Sequence, residues 1–334
     1  MSTHILKTGA KTCYDGKGLP ISCRSSLQDA ALGMGTSVPE PRFAPLGDDL
    51  VRDRLTSLCW PLDLSAFPYP VSWSEGLQIV DELNRDGFLG RNDWRMPNRR
   101  ELRSLIWHSA RNPALPPDHP FRGLQLTWYW TSTSSAMHPR YAWYIHLEGG
   151  RMFWGRKDQF FMLWPVCSRS AVLPRTGQME CFDKRGASME CRNSGQDAEA
   201  LAGAVWPGPR FEGVNEGIRD RLTGLIWYAE PDIVALPADW EEGLEIVEAL
   251  NRDSRLNWHP PNINELESLV DASRHSPALP ADFPVRDTEE VYWSSTTSGF
   301  ETDWAFALYM HKGAVGVGHK SHAGFAVWPV AEEE

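Results

Sequence analysis

Four cysteines stand in two pairs, Cys13/Cys23 and Cys181/Cys191, each ten residues apart and each flanking a glycine-containing turn, "DGKG" and "DKRG". That spacing predicts two hairpin disulfides, each contributing roughly 2–3 kcal/mol by restricting the unfolded chain. Two reduced, small apolar side chains per pair are the alternative. Cys59 and Cys167 read as buried thiols, with a bridge between them left open. His311, His319 and His322 are the clustered histidines, and a zinc site would need such imidazoles to converge at about 2 Å on one ion. They read here as polar hairpin residues, and no metal or cofactor is assigned. Two late stretches, "YAWYIHLEGGRMFWGRK" (141–157) and "WAFALYMHKGAVGVGHK" (304–320), mix rings with cations. Trp143, His146, Arg151, Trp154, Arg156 and Lys157 in the first, and Trp304, His311, Lys312 and Lys320 in the second, are the candidate ligand-binding residues. Rings beside cations suit stacking on sugars or anchoring of a protein partner. Strand alternation turns about half of either set inward. No Gly-x-Ser-x-Gly, phosphate loop, dinucleotide fingerprint or His-Glu-x-x-His occurs, so the chain reads as non-enzymatic, with an unrecognised metal-dependent enzyme as the remote alternative.

The elements that must position these residues are written twice. "TGAKTCYDGKGLPISC" (8–23) matches "TGQMECFDKRGASMEC" (176–191), "RDRLTSLCW" (52–60) matches "RDRLTGLIW" (219–227), and "WSEGLQIVDELNRD" (73–86) matches "WEEGLEIVEALNRD" (240–253). "NPALP" at 112–116 meets "SPALP" at 276–280, and "LWPV" (163–166) meets "VWPV" (327–330). Insertions between the copies are small. The period is far too long for a solenoid unit, so each copy is expected to own a core, with residues 1–170 and 171–334 as the two domains. Twelve of the sixteen tryptophans pair between copies, as 60/227, 73/240, 94/258, 130/293, 143/304 and 164/328, and read mainly as core. Trp107, Trp128, Trp154 and Trp206 have no such partner and read as copy-specific surface anchors.

Local signals supply the helices. Ser72 with Glu75, and Asp239 with Glu242, form capping boxes ahead of apolar stripes such as Leu77, Val80 and Leu83, and Gly87 is a natural stop. The repeated Trp94-x-x-Pro97-Asn98-x-x-Glu101 and Trp258-x-x-Pro261-Asn262-x-x-Glu265 place an Asn cap and a Glu three residues on, ahead of the stripe Leu102, Leu105 and Ile106. After the second helix come short aromatic and Ser/Thr-rich runs that read as hairpins. Each copy is thus α+β, with two helices and a compact antiparallel sheet.

Net charge is −11, but residues 1–170 carry 20 Lys and Arg against 16 Asp and Glu, whereas residues 171–334 carry 13 against 28. No coherent basic footprint for nucleic acid follows. Arg91, Arg95, Arg99, Arg100 and Arg103 form the densest basic cluster, either a solvated helix face or a docking surface for an acidic partner, including the acidic half of this or a neighbouring molecule. No run approaches the ~18 apolar residues of a membrane span. The N-terminal "MSTHILKTGAK" lacks the apolar core of a secretory signal. Disulfides, by contrast, imply an oxidising compartment, so periplasm or secretion is favoured, with cytoplasm as the alternative.

Taken in order, "TGQ…C…C", "RF", "LTGL.W", "RMPN..EL", "PALP", "YWSST" and "VWPV" resemble the C-terminal domain family of the Legionella collagen-like adhesin across nearly the whole chain, in two copies. That family is similar to the C-type-lectin-like superfamily, which also holds the formylglycine-generating enzymes and the variable proteins of diversity-generating retroelements. The resemblance implies two tandem C-type-lectin-like domains, bacterial and extracellular, serving adhesion, carbohydrate binding or other ligand binding. The chain carries no collagen-like Gly-x-y tract, and its acidic second half argues against sulfated glycans there. Neither the late cysteine pair of formylglycine chemistry nor the lectin calcium signature is reproduced. The functional expectation is a binding protein for a surface glycan or a protein partner. An assembly subunit whose oppositely charged domains pack on each other or on another protein, with self-association, is the alternative.

Overall fold

The computed structural model describes residues 4–229, 237–285, 288–322 and 324–332. The first copy runs β1 (Cys13–Tyr14), β2 (Pro20–Ile21), α1 (Asp29–Leu32), β3 (Phe43–Leu46), β4 (Leu50–Asp53), β5 (Cys59–Pro61), α2 (Trp73–Asp86), α3 (Arg99–Arg103), β6 (Trp128–Ser134), β7 (Tyr141–His146) and β8 (Met152–Arg156). The second repeats that order as β9 (Cys181–Phe182), β10 (Ser188–Met189), α4 (Asp197–Ala200), β11 (Phe211–Val214), β12 (Gly217–Asp220), β13 (Leu225–Tyr228), α5 (Trp240–Leu250), α6 (Ile263–Ser268), β14 (Val291–Thr297), β15 (Trp304–Tyr309) and β16 (Ala314–His319). A last strand, β17 (Val330–Glu332), joins β13. The class is α+β with antiparallel sheets and two repeated domains.

The repeated motifs explain themselves locally. All four predicted capping boxes form: Asn98 and Asn262, for example, each accept the amide of the third helical residue at 3.0 and 2.9 Å. Gly87 stops α2 in a left-handed conformation at φ 64°. The arginine of "PRF" and the aspartate of "RDRLT" meet in the interior: Arg42 grips Asp53 at 3.1 and 2.8 Å, and Arg210 grips Asp220 at 2.9 and 2.7 Å. Each arginine also donates to the carbonyl at the end of the second helix, Ser104 or Ser268. Both predicted disulfides, Cys13–Cys23 and Cys181–Cys191, are present, and Cys59 and Cys167 are buried free thiols.

Of the expected tryptophan pairs, five stand in register and all ten of those rings are buried. The sixth does not align. Ala142 faces Ser134 as Ala305 faces Thr297, so Trp143 corresponds to Phe306, and Trp304 to Tyr141. A slip of two residues keeps a side chain on the same face of a strand, so alternation alone could not detect it.

The copies do not pack separately. One six-stranded sheet runs β14-β15-β16-β8-β7-β6 through both, joined where Val315 of β16 pairs antiparallel with Met152 of β8. These two residues hold the same place in their copies, so a pseudo-two-fold axis passes between them. The expected separate cores are instead one continuous apolar core reaching from Ile5 to Ala331, with a smaller cluster around Trp73, Trp94 and Trp130. Beside the axis, α3 meets α6. Arg103 Nε donates to Glu267 Oε2 at 2.8 Å, Arg99 Nη2 to Gly313 O at 2.6 Å and to Glu267 Oε1 at 3.4 Å, and Arg100 Nη2 to Val270 O at 2.8 Å. Three of the five clustered arginines therefore dock on the acidic copy of the same chain.

The segments ahead of each body are exchanged. Residues 5–37, here called the first clip, carry β1, β2 and α1, and α1 packs on β14 of the second copy. Residues 173–205, the second clip, place α4 on β6 of the first. Gly16 N–H donates to Glu241 Oε1 (2.9 Å), Thr302 Oγ1 to Gly18 O (2.9 Å) and Asn264 Nδ2 to Leu6 O (2.8 Å), while Asn98 Nδ2 reaches Ala202 O (3.2 Å) in the other direction.

The Glu267 carboxylate is the acidic centre of the seam. Burial works to raise its pKa, but Arg103, Arg99 and Arg100 outweigh it and hold the group below the ordinary value. Glu267→Ala strands Arg99 and Arg103 without a countercharge and is expected to cost about 3–5 kcal/mol in urea unfolding. A double-mutant cycle with Arg103→Ala is expected to return a coupling above about 1 kcal/mol; additive losses would show that the pair does not hold the copies together.

Candidate functional site

The late hairpins sort their side chains by strand alternation. Trp143 lies on the face that meets the helices and is buried, with the Arg99 guanidinium 4.2 Å from its ring centre. Lys157 and Lys320, at corresponding ends of the two hairpins, are also interior. Each ammonium sits 4.0 Å over a buried indole, Trp73 or Trp240. Lys157 Nζ donates to Phe182 O at 3.0 Å, and Lys320 Nζ to Asp15 O at 3.3 Å and Tyr14 O at 3.4 Å. The lysines thus pin the disulfide hairpins of the exchanged clips and present no charge to solvent. Burial lowers them to about 7 and about 8, against the opposing pull of Asp183 on the first and of Glu241, Asp15 and Asp303 on the second.

Of the remaining candidates His146 is also buried, and the others reach solvent to different degrees. His146 packs against Trp128 with ring centres 4.1 Å apart and accepts the Glu148 amide at Nδ1 (3.1 Å), and burial lowers its pKa. Arg151 and Trp304 are half-buried, the latter 5.4 Å from His319. Arg156 is exposed and paired with Asp158. His311 is half-buried, 3.8 Å from Glu290, while His319 stacks on His322 at the far end of the hairpin. Among the described residues no three His, Cys, Asp or Glu side chains are grouped to hold a metal.

One cluster gathers rings and cations across both copies. Trp154 lies 5.3 Å from Tyr141 and 5.6 Å from His138, and Lys312, from the hairpin tip of the second copy, places Nζ 5.9 Å from the Trp154 ring centre. His138 and Lys312 are exposed, and Tyr141 and Trp154 half-buried. Tyr141 and His138 were not singled out from sequence; their neighbourhood in "MHPRY", a ring-rich turn leading into the hairpin, is the local signal that could have found them. The four unpaired tryptophans, Trp107, Trp128, Trp154 and Trp206, are all half-buried, unlike the paired rings in register.

Each clip also carries a buried carboxylate clasp. Asp29 Oδ2 accepts the hydroxyls of Thr8 (2.5 Å) and Thr296 (2.7 Å), the second from the other copy; Asp197 Oδ2 accepts Thr176 and Thr133 at 2.7 Å each in the same pattern. Burial raises both carboxyls to about 6, partly opposed by the hydroxyl donors. Glu265 adds to the rise at Asp29 and Glu101 at Asp197, while His259 and Arg95 counter it.

A family model described as the Lcl C-terminal domain matches residues 49–167 and again 216–331. Neither clip falls within the matched ranges. No curated protein matches the chain.

The clasps give stability a specific pH dependence. Their folded pKa is raised, so their contribution is complete below about pH 4, near the unfolded carboxyl value, and is lost as pH rises through about 6. Relative to an Asp29→Asn/Asp197→Asn variant, the wild type is expected to gain roughly 3 kcal/mol per carboxylate in urea unfolding between pH 7.5 and pH 4. A difference that stays constant with pH would show that these carboxyls ionise alike in the folded and unfolded chain.

Proposed function

The chain belongs to the Lcl C-terminal domain family in both of its copies, and on that premise we propose that it is a non-enzymatic binding protein that recognises a surface glycan or a protein partner through aromatic and cationic side chains of its late hairpins. The observation that carries this reading is the cluster of Trp154, Tyr141, His138 and Lys312 at the meeting of the copies. An indole with a cation above it and a phenol beside it offers a flat apolar face and polar edges, which suits a sugar ring or an inserted side chain. Arg156, the cross-strand partner of Tyr141, extends the polar rim of this reading, while His146 and Arg151, on the opposite face of the hairpin, and Trp304 and His311 remain candidates outside the cluster. The C-type-lectin-like relationship and the division at residues 1–170 and 171–334 are part of the same proposal. The two disulfides support a place outside the cytoplasm; among the described residues no helix is long and apolar enough to cross a membrane.

A glycan array and a capture assay on surface fractions are expected to find a ligand whose affinity falls at least about tenfold in Trp154→Ala, a change of ~1.4 kcal/mol, with the variant still folded at the assay temperature. No ligand, or equal binding by the variant, counts against this reading.

The arginine-to-acid seam favours a second reading, an assembly subunit whose oppositely charged halves pack on each other and, by the same chemistry, on a partner. Light scattering would then show a mass that falls as added salt shortens the screening length, whereas a salt-insensitive monomer removes it.

A further inference from the structure

The outer edge of β14 exposes one peptide unit that its counterpart in the first copy does not. Ser298 N–H donates to Trp304 O at 2.9 Å, which makes Thr297 and Ala305 a non-hydrogen-bonded pair and turns the Thr297 N–H and C=O off the free edge of the sheet. On β6 the same geometry holds, with Ser135 N–H on Tyr141 O at 2.9 Å and Ser134 facing Ala142. There the outward peptide is met by a side-chain amide. Ser134 N–H donates to Gln178 Oε1 and Gln178 Nε2 donates to Ser134 O, both at 2.8 Å.

Gln178 stands in the second clip where Ala10 stands in the first: "TGQ" begins at Thr176 and "TGA" at Thr8, and both threonines bond the buried aspartate of their clip. The methyl of Ala10 cannot reach the strand edge. Beside it opens a cavity of about 220 Å³, whose lining includes Ala10, Lys11, Gln28, Ser109, Ser295 and Thr297. The Ser295 and Thr297 hydroxyls are buried, at 1% and 9% exposure, and take no hydrogen-bond partner. Among the described residues nothing meets the outward Thr297 N–H and C=O.

The same two-point grip recurs elsewhere in the molecule. Gln28 holds the Tyr14 peptide at 3.0 and 2.9 Å, and Gln196 holds the Phe182 peptide at 3.0 and 3.1 Å. Carboxamides thus close three such edges, and the fourth is left open by one substitution.

We propose that the cavity at Thr297 binds a ligand presenting a primary carboxamide. One N–H donor beside one C=O acceptor requires a group that both accepts and donates along one edge. A carboxylate has no hydrogen for the Thr297 carbonyl, and an ammonium or guanidinium has no lone pair for the Thr297 amide. The two hydroxyls behind them complete the polar wall, and Lys11 and Ser109 stand at its more exposed side. The ligand comes either as a free small carboxamide or as a glutamine side chain of a partner. This site is separate from the Trp154 cluster and stands or falls without it.

The test titrates the full chain with propionamide, with propionate and with the peptide Gly-Gln-Gly, following the Thr297 amide by NMR and stoichiometry by calorimetry. Saturable binding of propionamide at one site per chain, at least tenfold tighter than propionate, is expected. If the peptide binds as well, the source is a partner's glutamine; if it is excluded, the source is a free small carboxamide. Gln178→Ala opens the matching edge in the first copy and is expected to raise the stoichiometry to two. Ala10→Gln and Ala10→Leu fill the cavity and are expected to abolish binding. Equal response to propionamide and propionate, no saturable shift at Thr297, or an unchanged stoichiometry in Gln178→Ala overturns the proposal. Should the variants fail to fold, the comparison of the two probes on the wild type decides.

Discussion

The two free edges of the central sheet are the constraint from which the rest follows. An edge strand presents a row of unpaired N–H and C=O groups that invites pairing with another chain unless it is covered. Here β6 and β14 are those edges, and each meets three successive covers. Trp130 and Trp293 donate to the returning segments at Met162 and Ala326, Ser132 and Ser295 donate to Pro97 and Pro261 ahead of the second helices, and a clip from the other copy packs on the last turn, where Gln178 meets the Ser134 peptide of β6 but the Thr297 peptide of β14 is left unmet among the described residues. Neither copy covers its own edge to the end. The exchange of the clips answers that requirement across the two copies.

A two-fold axis brings a position close to its own duplicate, and identical charged residues there would repel. The chain resolves this by divergence. Arg99, Arg100 and Arg103 correspond to Ile263, Asn264 and Glu267, so a basic helix end meets an acidic one where two equal copies would have set like against like. The cost of burying so many guanidinium groups is limited because nearly every donor named at the seam ends on a carbonyl or on Glu267. The lopsided charge of the two sequence halves has in this seam a local and structural meaning.

What the sequence made legible was local. Capping boxes and hairpin disulfides lie within about ten residues, where spacing and residue type are enough, whereas the arginine–aspartate pairs of "PRF" and "RDRLT" emerged only from the structure. The exchanged clips were not legible, because Lys157 finds Phe182 and Asp29 finds Thr296 across separations that no periodicity records. The same blindness misplaced two kinds of candidate. Lysines after a ring-rich strand read as a solvent-facing cation, whereas an indole face and two carbonyls give an interior berth to each. The Trp143/Trp304 match rested on residue identity, although the strands around it are offset by two residues relative to that pairing. The cluster at Trp154 was half visible, since its indole and Lys312 were chosen while Tyr141 and His138 were not.

The clips themselves combine opposed demands. Each is held by a carboxyl whose pKa is raised by burial and by a lysine whose pKa is lowered by the same cause. Acidification relieves the carboxylates and burdens the lysines, and alkalinity does the reverse, so no pH satisfies both contacts. A short segment with two-residue strands has little apolar burial of its own to offset this. The disulfide within each clip answers the difficulty from the unfolded side: by closing a ten-residue loop in advance, it removes roughly 2–3 kcal/mol of ordering that docking would otherwise require. The hairpin carbonyls then arrive at the lysine as a preformed set. On this account the cysteine pairs are conditions for the exchange, because a clip that had to order itself while desolvating a carboxylate and an ammonium would gain too little from the partner copy to stay there.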